Sequence, residues 1–296
     1  MGGLRFIVFL LVQLAAAVRE ADDEAQRTLD ARKGVQPQRM IVLSNGRGGS
    51  TVLCKTLAQI GLSNHRLMAK ELFGENMHEM AQVSDPTQLM STFFDEQRRA
   101  QPTAHLVGFK WKSLYTNSAE YEAAWKWVAA EQMPVLFMTR NALAEVISAE
   151  KHSSSELSAH CGPENTTCLE EHLSHRVALN ATTLVQRLDE REAHADEMSS
   201  RLARAGVRAL RVTFEDLFAG EATAATPDAP RALRAWNQAL SFLGEPTASS
   251  YASIDTAIAK TGLASTDSHS MCDSLLNVEE VRSALGASRH AALLEC

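Results

Sequence analysis

Short apolar runs recur along the chain, and segments with helical spacing of their apolar residues separate them. Such runs are typical of strands that are buried on both faces, as in a parallel sheet. Their alternation with helices predicts an α/β fold, a single domain with a central parallel β-sheet flanked by helices. The predicted strands are Arg39–Ser44, Leu106–Phe109, Val135–Met138 and Val207–Phe214, and the predicted helices are Ser50–Ile60, Ala119–Glu131, Asn141–Lys151 and one from Leu169 to about Leu202.

The N-terminal segment has a different pattern. Arg5 precedes an apolar run of 13 residues, Phe6–Val18, in which Ala15–Ala17 offers the small residues that signal peptidase prefers. The run is shorter than the ~20 residues that a membrane-spanning helix needs. We predict a signal peptide or short signal anchor at 1–21, a stem at 22–38 and one domain at 39–296. The alternative is that the apolar run is a buried first helix of the domain.

The net charge of the chain bears on which classes of ligand it can bind. The formal net charge of the 296 residues is −7, which argues against binding nucleic acid through bulk electrostatics. It leaves room for a local basic pocket that binds a small anion.

The chain has five cysteines, and a secretory signal would bring them into an oxidising compartment. Cys161 and Cys168 bracket a short polar loop and are the first predicted disulfide. Cys272 with Cys296 is the second, and Cys54, within an apolar helical pattern, is predicted to be a buried thiol. Glycosylation sequons begin at Asn165, inside the predicted disulfide loop, and at Asn180, in a helical pattern.

A glycine-rich segment connects the first predicted strand to the first predicted helix. It contains Arg47, Gly48, Gly49, Ser50 and Thr51. Backbone N–H groups of such a loop can surround an anionic oxygen, the helix N-terminus adds its dipole, and Arg47 adds a charge. The alternative is a plain strand-to-helix turn. The loop is not a Walker A motif, because no lysine precedes Ser50.

A second candidate anion site follows the strand Val135–Met138. Arg140 stands just after this strand, and Ser148 lies eight residues later, about two helical turns into the next predicted helix. The two side chains can converge on one phosphate. The alternative is a surface arginine with an unrelated serine.

Together the two motifs resemble those of sulfotransferases that use 3′-phosphoadenosine-5′-phosphosulfate (PAPS), in particular carbohydrate, tyrosylprotein and bacterial trehalose-type enzymes. The first is similar to their 5′-phosphosulfate-binding loop, although Gly48 replaces a serine that is more frequent there. The second is similar to their strand–arginine–serine arrangement for the 3′-phosphate. Weaker similarity at Gly108–Lys110, Val212–Leu217 and Asn277–Val281 extends the resemblance over roughly residues 39–290. It implies a P-loop NTPase-like sulfotransferase fold.

The resemblance also implies roles for individual residues. Arg47 and the loop would bind the 5′ end of PAPS, and Arg140 with Ser148 would bind its 3′-phosphate. A glutamate would act as the general base, with Glu71 the first candidate and Glu75 the second. Lys110 would reach the sulfuryl group or cap the sheet, and Glu215 would anchor nearby loops.

The predicted activity is sulfuryl transfer from PAPS to an acceptor hydroxyl of a glycan or protein tyrosine, with adenosine 3′,5′-bisphosphate as product and without a metal. The secretory signal favours the Golgi lumen or secretion, with at most a short membrane anchor. A zinc site built from Cys161, Cys168 and nearby histidines is a weaker hypothesis. The alternative functions are a non-catalytic nucleotide-binding module and a P-loop kinase.

Overall fold

The computed structural model describes residues 38–60, 65–73, 84–102, 104–112, 119–154, 166–218, 229–261 and 271–294. The predicted signal segment 1–21 and all of the stem except Gln38 lie outside them. Gln38–Cys296 forms one compact unit. Its strands are β1 (Gln38–Ser44), β2 (His65–Glu71), β3 (Leu106–Lys112), β4 (Val135–Thr139) and β5 (Ala209–Thr213).

The helices alternate with these strands along the first two thirds of the chain and follow one another towards its end. They are α1 (Ser50–Ile60), α2 (Pro86–Ala100), α3 (Ala119–Ala130), α4 (Ala142–Ser154), α5 (Thr166–Ser174), α6 (Ala181–Arg204), α7 (Phe214–Leu217), α8 (Ala229–Phe242), α9 (Tyr251–Ala259) and α10 (Val278–Gly286). Within the described ranges, no helix is both long and apolar enough to cross a membrane.

The five strands form one sheet in the order β2-β3-β1-β4-β5, and every pair is parallel. The predicted α/β architecture with a central parallel sheet flanked by helices is therefore confirmed. β1 lies in the middle of the sheet, where Met40–Leu43 are completely buried. Burial on both faces explains why this strand has an uninterrupted apolar sequence.

Alternate residues of β1 enter two different cores. Ile41 and Leu43 pack into an aromatic-rich cluster with β3, α2, α3 and the C-terminal half of α6. Met40 and Val42 face the opposite side, where the cluster is completed by α1, α8 and α9. A third cluster joins α4 and the N-terminal half of α6 to α10. The sheet is thus covered on both faces, and α6 reaches from one cluster to another.

The order of the strands changes direction at β1. After β1 the chain forms β2 and β3 on one side of it, and then crosses to form β4 and β5 on the other side. β1 and β4 are hydrogen-bonded neighbours with Ser44 opposite Met138. Open α/β sheets bind ligands at such a switch point, beyond the carboxyl ends of the strands. The glycine loop after β1 and Arg140 after β4 both lie at this edge.

Several predicted elements need correction. The long helix predicted from Leu169 to about Leu202 is two helices, α5 and α6. Val177 pairs with Leu275 between them, and the backbone of Leu179 exchanges two hydrogen bonds with the Asn277 side chain. These tertiary hydrogen bonds replace the helical ones. The strand predicted to reach Phe214 ends at Thr213, because Thr213 caps α7 by accepting a hydrogen bond from Asp216.

Candidate functional site

The glycine loop between β1 and α1 has an unusual backbone. Gly46, Arg47 and Gly49 all have positive φ values, of 80°, 57° and 83°. A left-handed conformation is unfavourable for a residue with a Cβ, by about 1–2 kcal/mol at Arg47. Turns that mix left- and right-handed residues form concave runs of N–H groups, which bind anions. The local backbone is therefore of the kind that a phosphate- or sulfate-binding loop requires.

The two glycines before α1 also lie against other elements. A Cβ at Gly49 would be 2.3 Å from the Cδ2 atom of Phe214, the first residue of α7. A Cβ at Gly48 would lie 3.4 Å from Glu145 Oε1 and 3.6 Å from the carbonyl oxygen of Met138. The loop thus packs closely on the ends of β4 and β5, and only glycine fits at position 49 without movement of an aromatic ring.

Hydroxyl and ammonium groups lie at the N-terminus of α1. Ser50 is buried, and the Ser44 hydroxyl donates to its Oγ atom over 3.0 Å. Lys110, near the end of β3, donates from Nζ to Thr51 Oγ1 over 3.1 Å. A positive charge and the positive end of the helix dipole therefore meet at the first turn of α1. This contact brings Lys110 to the glycine loop rather than leaving it as a distant cap of the sheet.

Arg140 reaches the same loop from the end of β4. Its Nη1 atom donates to the carbonyl oxygen of Arg47 over 3.5 Å, between residues 93 positions apart in sequence. Its guanidinium carbon lies 4.5 Å from the ring centroid of Phe214, which is a cation–π contact. Burial lowers the pKa of Arg47 from its ordinary value, because the charged form loses hydration. An anion beside Arg47 would offset that loss.

The turn after Arg140 is fixed by several hydrogen bonds. The side chain of Asn141 caps α4 by accepting from the backbone N–H groups of Leu143 and Ala144, over 2.9 and 3.3 Å. The N–H of Asn141 donates to Glu215 Oε1 over 2.9 Å. This is the anchoring role that was predicted for Glu215. The guanidinium of Arg140 therefore extends from a rigid backbone position.

The predicted site residues do not all lie in this contact network. Ser148 is half-buried on α4. Glu71 ends β2 with its Cα opposite that of Lys110, so it belongs to a strand and not to a helix. Its side chain and the whole of Glu75 lie outside the described residues. The residues that the structure brings together, the anion cluster, are Arg47, Gly48, Gly49, Ser50, Thr51, Lys110 and Arg140.

Two residues of this region were not predicted from sequence. Phe214 lies between the loop and Arg140, as described above. Glu145 of α4 is only 2% exposed, and its Oε2 atom accepts from Arg191 Nη1 over 2.9 Å. Burial raises the pKa of Glu145 to about 7, although the guanidinium groups of Arg191 and Arg140 oppose the shift. The sequence does carry a signal for Glu145, which is a carboxylate among the apolar residues Leu143, Val146 and Ile147 of one helix.

Some of the residues predicted for disulfides and glycosylation lie within the described part of the chain, and others do not. Cys54 is a fully buried thiol, as predicted, and Cys168 and Cys272 are each disulfide-bonded. Their predicted partners, Cys161 and Cys296, lie outside the described residues, as does Asn165. Asn180 is exposed and caps α6 instead of lying within a helix. Among the described side chains, no group of three or more His, Cys, Asp or Glu residues could hold a metal.

The chain differs in how it compares with known sequences and with known structures. No protein-family model matches this sequence, and no curated protein matches it. Among solved structures, the chain is similar to mouse sulfotransferase SULT7A1, which was crystallised in complex with PAP. The two share 14% sequence identity, the match covers 90% of this chain and 78% of the mouse chain, and the TM-score is 0.39.

Proposed function

We propose that this chain is a PAPS-dependent sulfotransferase that transfers a sulfuryl group to an acceptor hydroxyl. The observation that carries the proposal is the contact of Arg140, at the end of β4, with the left-handed glycine loop at the end of β1. Two motifs that resemble the two anion sites of one bisphosphorylated nucleotide thus lie at one edge of the sheet. We also propose that its α/β fold is the P-loop NTPase-like fold of sulfotransferases.

The anion cluster fits the charge of the donor. Loop N–H groups, Arg47, Ser50 and Thr51 would hold the 5′-phosphosulfate, and Arg140 with Ser148 would hold the 3′-phosphate. Lys110, fixed on Thr51, would neutralise charge that develops on the oxygen between phosphorus and sulfur. The donor supplies an activated sulfuryl group. The chain's own residues would bind it, orient it and exclude water, which is how most of the acceleration arises in the related phosphoryl transfers.

The acceptor and the compartment are further parts of the proposal. An apolar N-terminal run, disulfide-bonded Cys168 and Cys272, and an exposed sequon at Asn180 all suit the secretory pathway. We therefore propose the Golgi lumen or secretion, and an acceptor hydroxyl on a glycan or a protein tyrosine. The amide oxygen of Asn180 accepts from Thr182 N–H, so a glycan on its nitrogen would leave this cap in place.

Radiolabelled PAPS offered with glycans, tyrosine peptides and small alcohols tests the proposed activity directly. Transfer to one acceptor class, together with thermal stabilisation by adenosine 3′,5′-bisphosphate, is the expected result. Stabilisation by the bisphosphate without transfer to any acceptor would favour a non-catalytic module. Stabilisation by ATP with magnesium, but not by the bisphosphate, would favour a kinase.

Replacing Glu71 by glutamine is expected to remove turnover and leave donor binding intact. An amide keeps the size of the side chain but cannot take the acceptor proton, and general-base catalysis contributes about 10²–10⁴-fold. The measurement is the single-turnover rate of labelled transfer beside the melting-temperature shift given by adenosine 3′,5′-bisphosphate. Glu96→Gln, on the exposed part of α2, is the control and should behave as the parent. Full activity of the Glu71 variant would assign the base elsewhere, with Glu75 next.

Replacing Lys110 by methionine is expected to lower the turnover number by about 100-fold, with a smaller effect on donor affinity. Methionine keeps the length of the side chain while it removes the charge beside Thr51. Steady-state kinetics with varied PAPS separate kcat from KM. Lys112 lies two residues further along β3 and is also half-buried, so Lys112→Met is the matched control. Equal effects of the two substitutions on kcat would mean that Lys110 only caps the sheet and does not act on the donor.

A further inference from the structure

Glu145 is a buried carboxylate directly beneath the glycine loop. Its Oε1 atom lies 3.4 Å from the position that a Cβ of Gly48 would occupy, which is an ordinary van der Waals distance, so the carboxylate packs directly against the loop at Gly48. Its Oε2 atom is held by Arg191 of α6 over 2.9 Å. A negative group so close to a loop that we assign to anion binding needs an explanation, because it opposes that binding.

The charges that act on Glu145 come from three other elements. Arg191 of α6 and Arg140 at the end of β4 favour its ionised form, whereas Glu215 of α7 disfavours it. Burial outweighs both arginines, so the pKa of Glu145 is raised to about 7. The carboxyl group therefore changes its charge near neutral pH, next to the loop and to one of the arginines of the anion cluster.

The same two helices carry a second Glu–Arg pair that makes a natural comparison. Glu150 of α4 binds Arg187 of α6 over 3.1 Å, one helical turn before Arg191. The side chain of Glu150 is 34% exposed, whereas that of Glu145 is 2% exposed. Exposed pairs contribute little to stability and are screened by solvent. The two pairs thus share their residue types and helices but differ in burial and in contact with the loop.

We infer that Glu145 is a buried countercharge of the donor site, that is, a negative charge set against the arginines that would bind the donor. We infer further that it determines how tightly the site holds an anion as the pH changes. The inference rests on the proposed function. When Glu145 is ionised, its charge repels an anion in the loop, and when it is protonated the repulsion disappears. Glu145 would act through the loop and Arg140 and would not itself touch the donor.

Proton linkage gives the sign of the effect. A bound anion disfavours ionisation of Glu145, so the pKa of Glu145 is higher in the complex than in the free protein, and binding is accompanied by proton uptake. Affinity for the anion must then fall as the pH rises through the neutral range. An increase of one unit in this pKa on binding corresponds to an affinity change of about 10-fold between the two pH limits.

Glu145→Gln removes the charge and keeps the shape and the acceptor for Arg191. Dissociation constants of adenosine 3′,5′-bisphosphate are measured by calorimetry for the parent and this variant from about pH 6 to about pH 8.5. The ratio of parent to variant is expected to be close to 1 at the acid end and about 10 at the alkaline end. Ionisation of the ligand's own phosphates affects both proteins equally and cancels in the ratio. Glu150→Gln should give a ratio near 1 throughout.

Two outcomes would overturn the inference. A Glu145→Gln variant that binds more weakly than the parent by the same factor at every pH would give Glu145 a purely structural role. Identical pH dependence of parent and variant would do the same. Pyrophosphate, titrated in parallel, separates this failure from that of the proposed function. If pyrophosphate binds with the expected ratio of parent to variant dissociation constants but the adenosine bisphosphate does not bind, the donor assignment fails. The role of Glu145 as a countercharge is then still supported. If neither binds, both fail.

Discussion

Replacing Arg140 by alanine is expected to abolish most of the thermal stabilisation that adenosine 3′,5′-bisphosphate gives to the protein. A ligand at about 100 times its dissociation constant stabilises by about 2.7 kcal/mol. Loss of a guanidinium that binds a phosphate in a partly buried site costs about 2–5 kcal/mol. A 100-fold loss of affinity would therefore reduce the stabilisation to about 0.4 kcal/mol. In melting temperature, a shift of about 5–10 °C would fall to about 1 °C.

The Arg140 experiment needs two further variants. Arg140 also contacts the Phe214 ring and the Arg47 carbonyl, so its loss changes the unliganded protein, and each variant is compared with its own ligand-free form. Arg140→Lys keeps the charge without the forked donors and should retain part of the shift. Arg211, on neighbouring β5, contacts Thr139 and Asp196 and is the control. An undiminished shift in Arg140→Ala would remove this residue from the donor site.

The approach of Arg140 to the glycine loop was predictable only in part. Both motifs follow apolar runs that predict buried strands, and parallel strands direct their carboxyl ends to one edge. The sequence does not reveal that β1 and β4 are hydrogen-bonded neighbours, since β2 and β3 come between them in the chain. Strand order depends on which helices cover which face, a property of the whole domain and not of either motif.

Elements that were missed in the sequence had two different causes. α2 carries complete helix signals, with Asp85 as the cap, Pro86 in the first turn and apolar residues on one face, so its sequence is sufficient to predict it. β2 has few apolar residues because it lies at the edge of the sheet, so its position next to β3 gives it a structure that its pattern does not. The strand that carries Glu71 is therefore absent from the predicted elements.

Phe214 and Glu145 were missed for a more basic reason. Each derives its role from a contact with a glycine, and a glycine gives no indication in the sequence of what lies against it. Gly49 accommodates the Phe214 ring, which an added Cβ would meet at 2.3 Å, whereas the Glu145 carboxylate lies at an ordinary van der Waals distance from the position of a Cβ on Gly48. Gly49 therefore does more than permit the backbone conformation of the loop. It also makes room for an aromatic ring that follows the end of β5.

Replacing Gly49 by alanine is expected to destabilise the protein and to abolish nucleotide binding. A Cβ there would be 2.3 and 2.7 Å from two ring carbons of Phe214, in a backbone with φ of +83°. The left-handed conformation contributes about 1–2 kcal/mol, and displacement of a packed ring adds about 1–3 kcal/mol. The ring also contacts Arg140, so its displacement disturbs both parts of the anion cluster. The measurements are urea unfolding and bisphosphate binding.

Gly206 provides the control that separates the two contributions. Its φ is +73°, but an added Cβ would meet nothing within 4 Å, so Gly206→Ala introduces the backbone strain without the clash. The difference between the two alanine variants therefore measures the contact with Phe214. If that contact is responsible, the double variant Gly49→Ala/Phe214→Leu should recover part of the lost stability, because a smaller side chain leaves space for the new methyl group. Equal destabilisation of the Gly49 and Gly206 variants, without recovery in the double variant, would mean that Phe214 does not hold the loop against Arg140.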